Sequence, residues 1–181
     1  MKPQFKKNAL FFAVAMTFGA GSAIAATQGT LGTSSTGTAE ISISKGDVVL
    51  ITNITDVNFP QWTAGSGDQN ADGQACVYSS TASYSIRATS TNGVGAFQMD
   101  DGSNNKLNYT INWVDDQSNQ APVALATGQV SATTMAASTS TSCNDNGGVN
   151  ARFQVGILGT DLDAVPSGSY VDTLTLTVAP L

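Results

Sequence analysis

Leu107-Asn108-Tyr109-Thr110-Ile111-Asn112-Trp113 decides the fold. Large apolar side chains fall on every second residue, and polar ones fill the gaps. Side chains of a strand alternate between the two faces of a sheet, so this spacing predicts a strand buried on one face only. The same period recurs elsewhere. Ala151, Phe153, Val155 and Ile157 alternate with Arg152 and Gln154, and Tyr84, Ile86 and Ala88 alternate with Ser85 and Arg87. Near the end, Leu174, Leu176 and Val178 alternate with Thr173, Thr175 and Thr177. From Ala26 onward no convincing apolar stripe of helical period accompanies them.

Turn chemistry separates the runs. Gly65-Ser66-Gly67, Asp72-Gly73, Asn92-Gly93, Asp101-Gly102, Asn146-Gly147-Gly148 and Pro166-Ser167-Gly168 all read as punctuation. Ser, Thr and Gly make up about a third of the 181 residues, a mixture that favours strands and turns. Half-buried strands divided by turns predict an all-β chain, an antiparallel β-sandwich. Ser131 to Gly148 is small and polar and reads as a long loop carrying Cys143.

The first 25 residues read as a leader. Lys2, Lys6 and Lys7 precede an apolar stretch from Ala9 to Gly21, and Ala23-Ile24-Ala25 offers small residues for cleavage after Ala25 or one residue later. The apolar stretch is short of the ~20 residues that span a bilayer, and no second one follows. Export is therefore expected, with no membrane insertion of the mature chain. In an oxidising compartment Cys76 and Cys143, the only two cysteines, have one internal pairing open to them; free thiols or an intermolecular bridge are the rivals.

Charge and composition exclude much chemistry. From Ala26 on, four cations face 13 carboxylates, a net charge of −9. Such a surface repels phosphate backbones, so no nucleic-acid partner is expected. The chain has no histidine, which excludes a Ser-His-Asp triad and His-ligated zinc or haem. Asp68, Asn70 and Asp72 followed by Gly73 open like a calcium loop, but Ser79 stands where a bidentate glutamate belongs. That stretch reads better as a solvated turn. Asp100-Asp101 and Asp115-Asp116 are adjacent pairs whose side chains point to opposite faces of a strand, a poor arrangement for two cooperating carboxyls. No enzyme activity and no cofactor are expected. Trp62, in a turn-rich stretch, is the aromatic freest to meet a sugar at the surface.

The stretch after the leader is unusual. Thr27, Gly29, Leu31, Thr33, Ser35, Gly37, Ala39, Ile41 and Ile43 keep one parity. The second half, Ala39, Ile41 and Ile43, reads as a strand of the domain. The first half is proline-free, uncharged and too poor in apolar surface to hold itself in a core. It is able to lend backbone hydrogen bonds to the open edge of another sheet. The chain also ends just after its last strand, so a sandwich short of one strand would have its gap beside that strand.

These features, with Gly168-Ser169-Tyr170-Val171-Asp172-Thr173-Leu174-Thr175-Leu176-Thr177-Val178, resemble the pilin subunits of chaperone–usher pili, closest to the archaic branch that is similar to spore-coat protein U. The resemblance implies an incomplete immunoglobulin-like sandwich lacking its last strand. It implies a leader over 1–25, a donor arm over 26–37 and a pilin domain over 38–181. Thr27, Gly29, Leu31, Thr33, Ser35 and Gly37 would be the donor strand. Tyr170, Leu174, Leu176 and Val178 would form the terminal strand and acceptor groove, and the Leu181 carboxylate the handle for a periplasmic chaperone. Other pilin subunits and an outer-membrane usher are the further implied partners, and a cell-surface fibre serving adhesion or biofilm formation the implied product. The chain departs from the family in its widely separated cysteines and in an arm with only one large hydrophobe. The alternative is a monomeric secreted β-sandwich that binds a ligand, as a lectin-like or adhesin domain does.

Overall fold

Alternation in the sequence becomes two antiparallel sheets. The computed structural model describes residues 26–116 and 121–181, so the expected leader at 1–25 lies outside the described residues. The strands, in chain order, are β1 (Val49–Thr52), β2 (Gln69–Ser79), β3 (Ser83–Ser90), β4 (Phe97–Asp100), β5 (Lys106–Asp115), β6 (Val123–Leu125), β7 (Met135–Ala136), β8 (Ala151–Ile157) and β9 (Leu174–Pro180). One short helix, α1 (Gly159–Ala164), follows β8. The larger sheet runs β1-β2-β8-β5-β4, with β6 also on β5; the smaller runs β7-β3-β9. Every pairing between these strands is antiparallel.

The inward faces of the two sheets share one core, a β-sandwich. Trp113 on β5 is fully buried and lies nearly parallel to Phe153 on β8, with ring planes 8° apart. Its Nε1 donates to the Tyr84 hydroxyl on β3 at 2.9 Å, so one polar bond joins the two layers through the apolar interior. The Cys76–Cys143 disulfide has formed, with Cα atoms 5.8 Å apart, and it fastens the loop before β8 onto β2. Next to it, buried Asn150 works as a side-chain strand: it accepts from the Val77 amide at 2.7 Å and donates to the Val77 carbonyl at 2.9 Å.

Two readings are corrected. Asp72-Gly73 is not a turn. It lies inside β2, where the Phe153 ring covers Gly73 so closely that a Cβ would sit 2.0 Å from Cζ. A residue chosen for close approach imitates one chosen for a turn. Ala39, Ile41 and Ile43 do not form a strand of the sandwich. Residues 39–48 have no regular structure, and Ile41 and Ile43 are 97% and 98% exposed. A β-period predicts a strand only where an edge accepts it.

The chain divides into two units between Lys45 and Gly46. In the first, Thr27 and Thr38 exchange backbone hydrogen bonds at 3.1 and 3.0 Å, and their hydroxyls also meet. This closes residues 27–38 into a loop that bends at 31–34 instead of running extended. Gly29 lies against Ser35, where a Cβ would be 2.0 Å from Oγ. Leu31 is wholly exposed.

Candidate functional site

The last strand stands at an edge. Among the described residues, β9 pairs only with β3, from Leu174 opposite Ser90 to Pro180 opposite Tyr84. β1 is the corresponding edge of the larger sheet and pairs only with β2. β2 ends at Ser79 and β3 begins at Ser83. The start of β1 (opposite Ser79) and the end of β9 (opposite Tyr84) therefore share one end of the sandwich, and the two edges run in opposite directions. They approach within 8 Å between Cα atoms, and no pairing joins them among the described residues.

Burial follows this asymmetry. Inward-facing Leu107, Ile111, Trp113, Val155 and Ile157 of β5 and β8 are closed over. Leu174, Leu176 and Val178 of β9 touch the same core but stay half-exposed, as do Val49 and Ile51 of β1 and Val57 and Phe59 just after it. An apolar side chain left half in water beside an unpaired backbone edge marks a place where one more strand would fit. Val48-Val49-Leu50-Ile51 was visible in the sequence as an apolar run, but without alternation it did not disclose this role. Past Thr52 the strand stops at Asn53, whose φ of +53° bends the backbone and whose Nδ2 donates to the Gly148 carbonyl at 2.8 Å.

The entry to β9 is fixed by Asp172. Its carboxylate accepts from Ser90 Oγ and the Tyr109 hydroxyl, each at 2.6 Å, and from the Thr91 and Asn92 amides at 3.1 and 3.0 Å. Asp100 and Val171 exchange backbone bonds just before it, tying the approach to β4. Tyr170 lies half-buried against the core and donates its hydroxyl to the Pro166 carbonyl at 2.8 Å. Burial, and then the Asp172 carboxylate, push the Tyr109 phenol far above its ordinary value. At the other end Leu181 is held by Ser83, which accepts from its amide at 3.3 Å and donates Oγ to its carbonyl oxygen at 2.9 Å.

The other singled-out residues have local work. Asn70 and Asp72 sit on the outer face of β2, with Asp72 3.5 Å from Arg152. Asp68 accepts from the Gly159 amide at 2.8 Å and so caps α1. Among the described residues no three carboxylate or thiol groups gather to hold a metal. Asp100 pairs with Lys106 at 2.7 Å, Asp116 with Arg152 at 2.9 Å, and buried Asp115 accepts from the Ala136 amide at 2.5 Å. Asp101 accepts from Asn105 and the turn amides that follow it. These carboxylates hold turns and strands together; they do not converge on a cleft. Trp62 donates Nε1 to the Gly67 carbonyl at 3.2 Å within its own loop. An open depression of about 370 Å³ between β4 and β6 is lined by residues such as Phe97, Tyr109, Ile111 and Leu125, without a charged side chain.

No family model matches this chain, and no curated protein matches it either.

Proposed function

We propose that the protein is a structural subunit of a surface pilus, built by donating a strand from one molecule to the next. The observation that carries this reading is the pair of unpartnered edges, β1 and β9, with half-buried Val49, Ile51, Leu174, Leu176 and Val178 between them. A neighbour's extended arm would add backbone hydrogen bonds along an edge and seat alternate side chains on the exposed margin of the core, and the two-residue period would fix its register. Arm and groove are different surfaces, so the contact is head-to-tail and does not close on itself; repetition yields a fibre.

Before assembly such a groove is an aggregation hazard. A periplasmic chaperone would cover it and an outer-membrane usher would exchange the cover for the next subunit's arm. The fibre is extracellular in this reading and serves attachment. No reaction is catalysed.

The test is to co-express the full chain with a chaperone and usher of this class and to compare it with a chain lacking 26–45. The full chain is expected to give covalent-bond-free multimers that survive mild detergent, and the truncated chain only monomer. A full chain that is soluble, stable and monomeric by light scattering, with or without these helpers, would overturn the proposal.

A further inference from the structure

We infer that the segment seated in the groove is Ala39–Ser44 of a second copy of this chain, with Ile41 and Ile43 as its knobs, and that it runs antiparallel to β9. This rests on the pilus reading above and names the piece of chain that does the work. Residues 27–37, the stretch singled out in the sequence, are already engaged with one another. The Thr27–Thr38 pair closes them into a loop, Gly29 is pressed against Ser35, and Leu31 is their lone large hydrophobe. Past Thr38 the situation reverses. Ala39, Ile41 and Ile43 share one parity, Glu40, Ser42 and Ser44 the other, and both isoleucines are almost wholly in water. A strand built from these residues has one apolar face for the groove and one polar face for solvent. Its three apolar positions match Leu174, Leu176 and Val178 in number and spacing.

Direction argues for a second copy. Lys45 to Val48 is a short link to the start of β1. If Ala39–Ser44 folded back into its own groove, that link would force it antiparallel to β1, and so parallel to β9, which runs the opposite way to β1. The segment of another molecule carries no such tether and can enter antiparallel to β9, whose seven residues offer a longer edge than the four of β1, to which it would then run parallel.

Cysteine pairs in the full chain separate the possibilities. Ile41→Cys combined with Leu176→Cys is expected to yield a ladder of cross-linked multimers on a non-reducing gel, while Leu31→Cys with Leu176→Cys yields none. The native cysteines are bonded to each other and do not interfere. A ladder from the Leu31 pair alone would overturn the inference and leave the pilus reading standing. A cross-link within single molecules from the Ile41 pair would place the segment in its own groove and also overturn it. Monomer from both pairs, with no cross-link, would sink the pilus reading too. As a second measurement, Ile41→Asp is expected to lower the yield of multimer by about tenfold or more, because the buried isoleucine is lost, and Leu31→Asp to leave it unchanged. Both positions are exposed, so neither variant endangers folding.

Discussion

Asp172 is the residue on which the last strand turns. One carboxylate accepts four donors from three places: the Ser90 hydroxyl at the end of β3, the amides of Thr91 and Asn92 just past it, and the Tyr109 hydroxyl on β5. Asp172→Ala leaves all of them without this acceptor. The expected cost is about 2–4 kcal/mol, read from denaturant midpoints at constant slope. Asp172→Asn keeps one accepting oxygen and should lose roughly half as much. The tyrosines make a prediction in pH. Burial raises the phenol of Tyr84, and burial and then Asp172 raise that of Tyr109. A folded-state value above the unfolded one means that the stabilisation is complete below pH ~10 and is lost as pH rises beyond it. The melting temperature should hold steady to pH ~10 and fall above it, with the tyrosinate absorbance of Tyr84 and Tyr109 appearing only as the chain unfolds. Absorbance rising fully at pH ~10 while the fold persists would contradict this.

At the scale of elements, what was legible in the sequence is what packing rewards. The parity of Leu107 to Trp113, Ala151 to Ile157 and Tyr84 to Ala88 survives as the inward faces of β5, β8 and β3. Asp172 lay in the terminal run beside Tyr170 without a role of its own, because its four donors are brought together only by the fold. What was not legible depends on partners. β2 was cut in two by reading Asp72-Gly73 as a turn, because nothing local reveals that Phe153 needs the space. Helix α1 has six residues, too few to show a period. Ala39, Ile41 and Ile43 carry a strand's pattern without a strand's neighbour. Gly73→Val tests the first point: with a Cβ at 2.0 Å from its ring, Phe153 must leave its place beside Trp113, at an expected cost of about 1–3 kcal/mol. Thermal unfolding of the variant should show that loss. The disulfide belongs to this scale as well. Cys76 and Cys143 are 67 residues apart, and freeing that loop in the unfolded chain costs the fold about 4 kcal/mol by the loop-entropy argument. Unfolding with and without reductant measures it.

At the scale of the whole molecule, stability and assembly belong to different parts of the chain. The core of residues 46–181 draws on the two sheets and the disulfide, and among the described residues none before Val49 belongs to it. Residues 26–45 are exposed throughout and hold the fully exposed Leu31, Ile41 and Ile43. Truncation should therefore separate the two properties. A chain lacking 26–45 is expected to unfold within ~0.5 kcal/mol of the full chain, since exposed residues away from packed contacts contribute little. A chain lacking only 26–37 should behave the same way in unfolding. The two should part in assembly. The shorter deletion removes a loop closed on itself and spares Ile41 and Ile43, so multimers should persist. The longer deletion removes both knobs, so they should vanish. Light scattering of the three chains at equal concentration, beside their denaturation curves, decides it. Equal loss of multimer in both truncations would return the donor role to 27–37, and a large loss of stability in the longer one would mean that the arm belongs to its own fold.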